Sequence, residues 1–217
     1  TFRKYAHEMG IYALDEFDIG KKIKVNMGIR YSQFLQVGPY KRYTFDQNNN
    51  KQDSTVYEAG DIAKSYGGPE PRLSIRYSLD ETSSVKLSAA KTYQYLHLVT
   101  NNGSTLPTDI WSPSTYFVRP QKAWQYSAGV FKNFFENKVE TSVEVYYKDM
   151  ENLLEYRQGY VPSSLRDVDY DFVFGQGYAY GAEFFINKTK GRLTGWLAYT
   201  LSWTYRKFDQ LNSGEKY

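Results

Sequence analysis

From 192 to 208 the chain alternates apolar and polar positions without interruption. Leu193, Gly195, Leu197, Tyr199, Leu201, Trp203 and Tyr205 fall on one side, and Thr194, Trp196, Ala198, Thr200, Ser202, Thr204 and Arg206 on the other. A period of two predicts a β-strand with one greasy and one wet face, longer than soluble strands usually run. The same alternation predicts seven further strands, at 8–19, 22–34, 71–79, 84–98, 122–131, 138–150 and 177–187. No stretch carries a convincing helical period.

The connections between these strands fall into two alternating classes. Those at 20–21, 80–83, 135–137 and 189–191 are short enough to be hairpin turns. Those at 35–70, 99–121 and 151–176 are long and rich in Asn, Asp, Ser, Gly and Pro, as in "DQNNNKQDST" and "TNNGSTLPTD". Sorting short turns to one end and long loops to the other is the habit of outer-membrane barrels, with the turns in the periplasm and the loops outside. A soluble sandwich has no physical reason to do it.

Charge sharpens the division of faces. Arg30, Arg72, Arg76, Glu140, Glu144, Glu183 and Arg206 all fall on the polar parity, whereas the apolar parity of most strands is free of charge across its middle. Charges aimed into a tight core would cost several kcal/mol each unless paired, so the polar faces are expected to line a watered lumen or a polar plug. Aromatics gather at the strand ends. Tyr31, Phe34, Tyr93, Tyr95, Tyr147, Tyr178, Tyr180, Trp203 and Tyr205 lie towards the long loops, and Phe17, Tyr77, Phe134 and Phe135 towards the turns. They are expected to form two interfacial girdles. Two strands break the pattern. Asp15, Glu16 and Asp18 put charge on both faces of the first, and Lys91 sits on the apolar parity of the fourth. Interfacial placement or a β-bulge would explain either.

Composition adds little and excludes something. The mean hydropathy of −0.64 is that of a polar chain, yet 22 Tyr, 13 Phe and 4 Trp among 217 residues suit membrane interfaces. No apolar run is long enough for a transmembrane helix, and "TFRKYAHEMG" holds no apolar signal-peptide core. The net charge of +3 is spread along the chain without a basic block, so a nucleic-acid partner is not expected. There is no cysteine, hence no disulfide scaffold. With an even number of strands and periplasmic turns, both termini are expected outside the cell, so the chain reads as an arc cut from a larger barrel. The alternatives are an autonomous eight-stranded barrel with a structural or adhesive role, and a secreted soluble β-rich binding module.

Several longer segments carry a resemblance. "YALDEFDIGKKIKVNMGIRYSQF", "AKTYQYLHLVTNNGSTLPTDIW", "VEVYYKDMENLLEYRQG" and above all "GYAYGAEFFINKTKGRLTGWLAYTLSWTYRKFDQLNSGEKY" are similar to the barrel of TonB-dependent outer-membrane receptors, in matching order along the whole chain. The resemblance extends to receptors with a carboxypeptidase-regulatory-like N-terminal domain. It implies an all-β fold, an antiparallel transmembrane β-barrel segment of about eight strands from a barrel of about 22. Residues 1–217 would be a partial barrel without plug domain, TonB box or signal peptide. The implied function is import of a metal chelate, glycan or peptide. The implied partners are outer-membrane lipid, the plug domain of the same protein, the TonB complex, an unknown small ligand and, in some members, a surface lipoprotein.

Candidate chemistry is sparse. His7 and His97 lack metal-ligand spacing, Glu140 and Glu144 are two pleats apart on a lumen face, and no helix follows Gly175, Gly177 and Gly181 to make a phosphate loop. No catalytic residue, metal or cofactor is expected, and the protein is not expected to be an enzyme. Ligand contacts are expected from loop aromatics and amides at Trp111, Tyr116, Tyr160, Asn101 and Asn102. Arg30, Arg72, Arg76, Glu140, Glu144, Glu183 and Arg206 are expected to meet plug or ligand from the lumen side.

Overall fold

A computed structural model describes residues 3–45, 51–99, 110–160 and 167–217. Eight long strands form one antiparallel sheet. In chain order the strands are β1 (Tyr5–Ile19), β2 (Ile23–Val37), β3 (Tyr40–Phe45), β4 (Lys51–Tyr57), β5 (Ile62–Ser78), β6 (Ser83–Gln94), β7 (Leu96–Val99), β8 (Ile110–Pro113), β9 (Gln121–Phe134), β10 (Val139–Tyr156), β11 (Phe172–Lys188) and β12 (Gly195–Lys207). The large sheet runs β1-β2-β5-β6-β9-β10-β11-β12, so each long strand pairs with its sequence neighbour in the sheet. β3–β4 and β7–β8 are separate small hairpins at the loop end.

The register turns the alternation of eight separate strands into continuous rows. Phe17, Val25, Ile75, Leu87, Ala128, Val145, Ala182 and Leu201 stand side by side across the whole sheet on the apolar face. One pleat nearer the loops, Tyr126, Tyr147, Tyr180 and Trp203 continue a row, with the Tyr180 and Trp203 rings stacked at 5.4 Å. The opposite face carries the row Lys24, Arg76, Lys86, Gly129, Glu144, Glu183 and Thr200. The turn end is stepped. The row in which β1 turns into β2, at Ile19 and Ile23, meets Val130 and Val143 further along, yet β9 and β10 continue for four more residues to Phe134 and Val139. That stagger is what tilted strands need in order to curl into a barrel.

The strands run further into the loops than alternation alone indicates. β5 starts at Ile62, although Pro69 and Pro71 lie within it. Its ladder with β6 covers only Arg72 to Ser78, so both prolines sit where β5 has a single neighbour, β2. A residue without an N–H is tolerated on such a free side. β10 extends to Tyr156 through a bulge between Glu151 and Leu153, and Asn152 there takes a positive φ of 56°. The predicted strand 84–98 divides. β6 ends at Gln94, and the following residues leave the sheet to form β7.

The two irregular strands keep their register, which removes the bulge explanation. β1 pairs with β2 without a break from Tyr5 to Ile19; Glu16 lies on the charged face beside Lys24 at 2.5 Å, and Asp15 lies near the turn end of the apolar face. Lys91 stays opposite Trp124, with its ammonium 5.3 Å from the Tyr93 ring and 5.8 Å from the Trp124 ring. Two predicted girdle residues belong elsewhere. Phe34 has the parity of Arg30 and Ser32, is buried, and stacks at 5.1 Å on Tyr95, whose hydroxyl meets Ser32 Oγ at 2.7 Å.

Among the described residues no buried core lies between the large sheet and a second sheet. Leu197, Leu201, Val143, Val145 and Leu87 are exposed on the apolar face. Among the described residues, the buried clusters sit at the loop end: Val99, Val118, Tyr156 and Phe172 in one, Leu153, Val173 and Phe208 in the other. The described residues form one eight-stranded antiparallel sheet with two small hairpins, not a two-layer sandwich.

Candidate ligand-binding cap and charged face

The loops fold over the loop end of the charged face and hold together through buried polar contacts. A short 3₁₀ turn, η1 (Val168–Asp171), follows β10 and carries Asp169, whose carboxylate has no exposed surface. Asp169 accepts a hydrogen bond from Thr115 Oγ1 at 2.6 Å and an ion pair from Lys4, which also reaches Asp167 at 3.0 Å. Lys4 lies just before β1, so one ammonium ties the first strand to the β10–β11 connection across the sheet. Burial pushes the Asp169 carboxyl up, and Lys4 opposes the shift.

Opposite Ser112 in the β7–β8 pair, His97 is buried, with Nε2 3.1 Å from Ser114 Oγ. Its Nδ1 is buried without a hydrogen-bond partner among the described residues. Burial holds the imidazole down, to a pKa of about 4, so it is neutral at physiological pH. The Ser–His contact is buried, and no hydrogen bond joins a carboxylate to the ring among the described residues.

The charged residues chosen from the alternation share one face. Arg30 lies 3.9 Å from Glu8, Arg72 lies 3.9 Å from Glu70, and Arg206 lies 3.8 Å from Glu155. Arg76 Nε donates to Ser84 Oγ at 3.0 Å, and Glu140 accepts from Asn187 at 3.1 Å. Glu144 and Glu183 stand directly opposite each other in the β10–β11 ladder. Gly129 makes room for that pair, because a Cβ there would come within 2.7 Å of Glu144 Cγ. The row is thus cationic at Lys24, Arg76 and Lys86 and anionic at Glu144 and Glu183.

The loop residues chosen from sequence part company. Trp111, on β8, is exposed. Tyr160 stacks on Tyr156 at 4.2 Å and packs against the buried cluster of the cap. Tyr116 is partly exposed, and its backbone N–H donates to Gln36 Oε1 at 2.8 Å, which pins it over the charged face of β2. Asn101 and Asn102 lie outside the described residues. Cations gather around Tyr116 that no sequence pattern singled out. Arg42 lies 4.3 Å from its ring centroid and Lys64 5.3 Å. The only signal for Lys64 is its parity with Glu70 and Arg72, hidden by the intervening Pro and Gly residues. Among the described residues no group of three or more His, Asp or Glu is placed to hold a metal.

The family model described as TonB dependent receptor-like, beta-barrel matches residues 1–217. The chain belongs to this family. Sequence comparison with curated proteins finds no match. Solved structures share the fold at low identity. The FrpB iron transporter from Neisseria meningitidis superposes with a TM-score of 0.61 at 12% identity, over 98% of this chain and 28% of that one. The pyoverdine outer membrane receptor FpvA from Pseudomonas aeruginosa PAO1 gives 0.61 at 16%, over 97% and 26%. The ferric-catecholate import receptor Fiu from K12 E. coli gives 0.55 at 16%, over 97% and 30%. This TonB-dependent receptor-like barrel segment therefore spans under a third of each of those chains. The matched family description concerns the barrel and carries nothing about an N-terminal regulatory-like domain.

Proposed function

We propose that the chain is an arc of a larger closed barrel in the outer membrane of a gram-negative bacterium, working in import of a nutrient with energy transmitted through TonB. The observation that carries this reading is the row register. It puts apolar side chains on one face of eight neighbouring strands and charges on the other. Leaving a Val, Leu or Phe in water forgoes roughly 1.5–3 kcal/mol each. A handful of such side chains amounts to about 10 kcal/mol, the size of a whole domain's stability. Hydrocarbon relieves that cost, provided every backbone group is paired. β1 and β12 each have one neighbour in the large sheet, so further strands of the same protein complete the barrel.

The charged face then lines the enclosed space and meets the plug domain. Like charges directly opposite in a ladder repel, so Glu144 and Glu183 call for a basic plug group, and Arg76 and Lys86, beside a Lys24 already paired with Glu16, for an acidic one. The loop cap, poised over this space, takes the incoming ligand. Uptake of labelled metal chelates, oligosaccharides and peptides, compared among wild-type, receptor-deleted and TonB-deleted cells, tests the reading. One class is expected to accumulate only when receptor and TonB are both present. Equal accumulation in all three strains would defeat it.

A further inference from the structure

The cap carries a cluster of cations without a carboxylate partner among the described residues, and it refines the ligand class in the import reading on which it rests. Gln36, Lys64 and Tyr66 share the charged face at the loop end of β2 and β5, with Gln36 opposite Lys64. Tyr116 docks on them through its N–H bond to Gln36, and the Tyr66 hydroxyl donates to the neighbouring Thr115 carbonyl at 2.9 Å. The β3–β4 hairpin lays Arg42 over the Tyr116 ring, while Lys64 lies 5.3 Å from that ring and 5.5 Å from that of Tyr66. Arg119 lies within electrostatic range of Tyr66 and 5.9 Å from the Phe174 ring.

None of Arg42, Lys64 and Arg119 has a carboxylate within 4.0 Å among the described residues. Among the described residues, four buried or nearly buried carboxylates at the loop end pair with other cations. Lys4 holds Asp167 and Asp169, Arg157 holds Asp171 at 2.7 Å, and Arg72 holds Glu70. Ring faces compensate a cation by only about 0.5–2 kcal/mol, less than a charge-assisted hydrogen bond to an anion offers. Arg42 spends one hydrogen bond inside the protein, Nη2 to Thr55 Oγ1 at 3.0 Å, and its Nε is buried without a partner. That fixes the guanidinium plane against Tyr116.

We infer that Arg42, Lys64 and Arg119, set around Tyr116 and Tyr66, form a recognition site for an anionic ligand bearing carboxylate or phosphate groups, at the loop end of the charged face. The site selects for charge: a neutral glycan or a cationic peptide of similar size gains nothing from these three groups.

Calorimetric titration of the full-length receptor in detergent at low ionic strength, with citrate as a trivalent probe and its neutral triethyl ester as the comparison, tests this. One citrate is expected to bind and the ester not. The triple variant Arg42→Gln/Lys64→Gln/Arg119→Gln is expected to weaken citrate binding by at least about tenfold, the loss of one or more charge-assisted bonds. The triple variant Lys138→Gln/Lys190→Gln/Arg192→Gln, at the turn end, is expected to leave it unchanged. Should the first triple variant fail to assemble, Lys64→Gln alone, at a half-exposed position, still gives a roughly two- to threefold loss. Absent citrate binding, equal binding of the ester, or undiminished binding in the cap variants overturns the inference. The titration needs no TonB, so its failure leaves the import reading standing, and TonB-independent uptake leaves a citrate site standing.

Discussion

Gly38 shows how much a single residue can hold in place. It links β2 to the β3–β4 hairpin that carries Arg42, and its N–H donates to the Asp61 carbonyl at 2.9 Å. A Cβ at this position would overlap the carbonyl oxygen of Glu58, a backbone atom that cannot step aside. Gly38→Ala is expected to cost about 1–3 kcal/mol locally and to raise hydrogen exchange across β3 and β4. His97 makes a second prediction at this scale. Its pKa falls from 6.5 in the unfolded chain to about 4 in the cap. The unfolded state therefore takes up the proton first as pH falls. The His97 contribution is complete above pH 6.5 and is lost progressively down to about pH 4, by up to roughly 3 kcal/mol. Exchange protection of β7 and β8, corrected for intrinsic rates, should fall over that window and flatten in His97→Phe.

At the level of elements, parity was legible and extent was not. Alternation alone placed Arg30, Arg72, Arg76, Glu140, Glu144, Glu183 and Arg206 on one face, because a period of two leaves no choice once a strand is granted. It also held the sign that Phe34 faces the wet side, since Phe34 shares parity with Lys24 and Arg30. What it could not show is where the ladders end. β5 passes Pro69 and Pro71 because its second neighbour is missing there, and β10 passes Glu151 by bulging at Asn152; both facts belong to the pairing partner. Tyr95 leaves the girdle because the chain leaves the sheet after Gln94. The site followed suit: Tyr116 stood out as a loop aromatic, whereas Arg42 and Lys64 acquire meaning only once the β3–β4 hairpin folds over β5. The row through Leu87 and Ala182 supplies the test. Leu87→Arg or Ala182→Arg should destabilise the folded receptor in lipid vesicles by about 2–4 kcal/mol, whereas Ser88→Arg, one residue away on the charged face, should cost far less. Equal costs on both faces would contradict the division.

Across the whole sheet, the stepped turn end and the cap describe one object: a tilted wall with apolar side chains on one face and charged side chains on the other. Lys91, beside Trp124 and Tyr93, fits the aqueous rim of that wall, where a long side chain can reach water while its stem lies on aromatic surface. These 217 residues contain no cysteine, so any cysteine elsewhere in the receptor is first replaced by serine. Single cysteines from 197 to 202, each in the full-length receptor in its membrane, should be spin-labelled and probed with oxygen and a water-soluble nickel chelate. Leu197, Tyr199 and Leu201 should see oxygen and not nickel, while Ala198, Thr200 and Ser202 should reverse that order. Uniform nickel access at all six positions, or the opposite alternation, would contradict a membrane-facing apolar side.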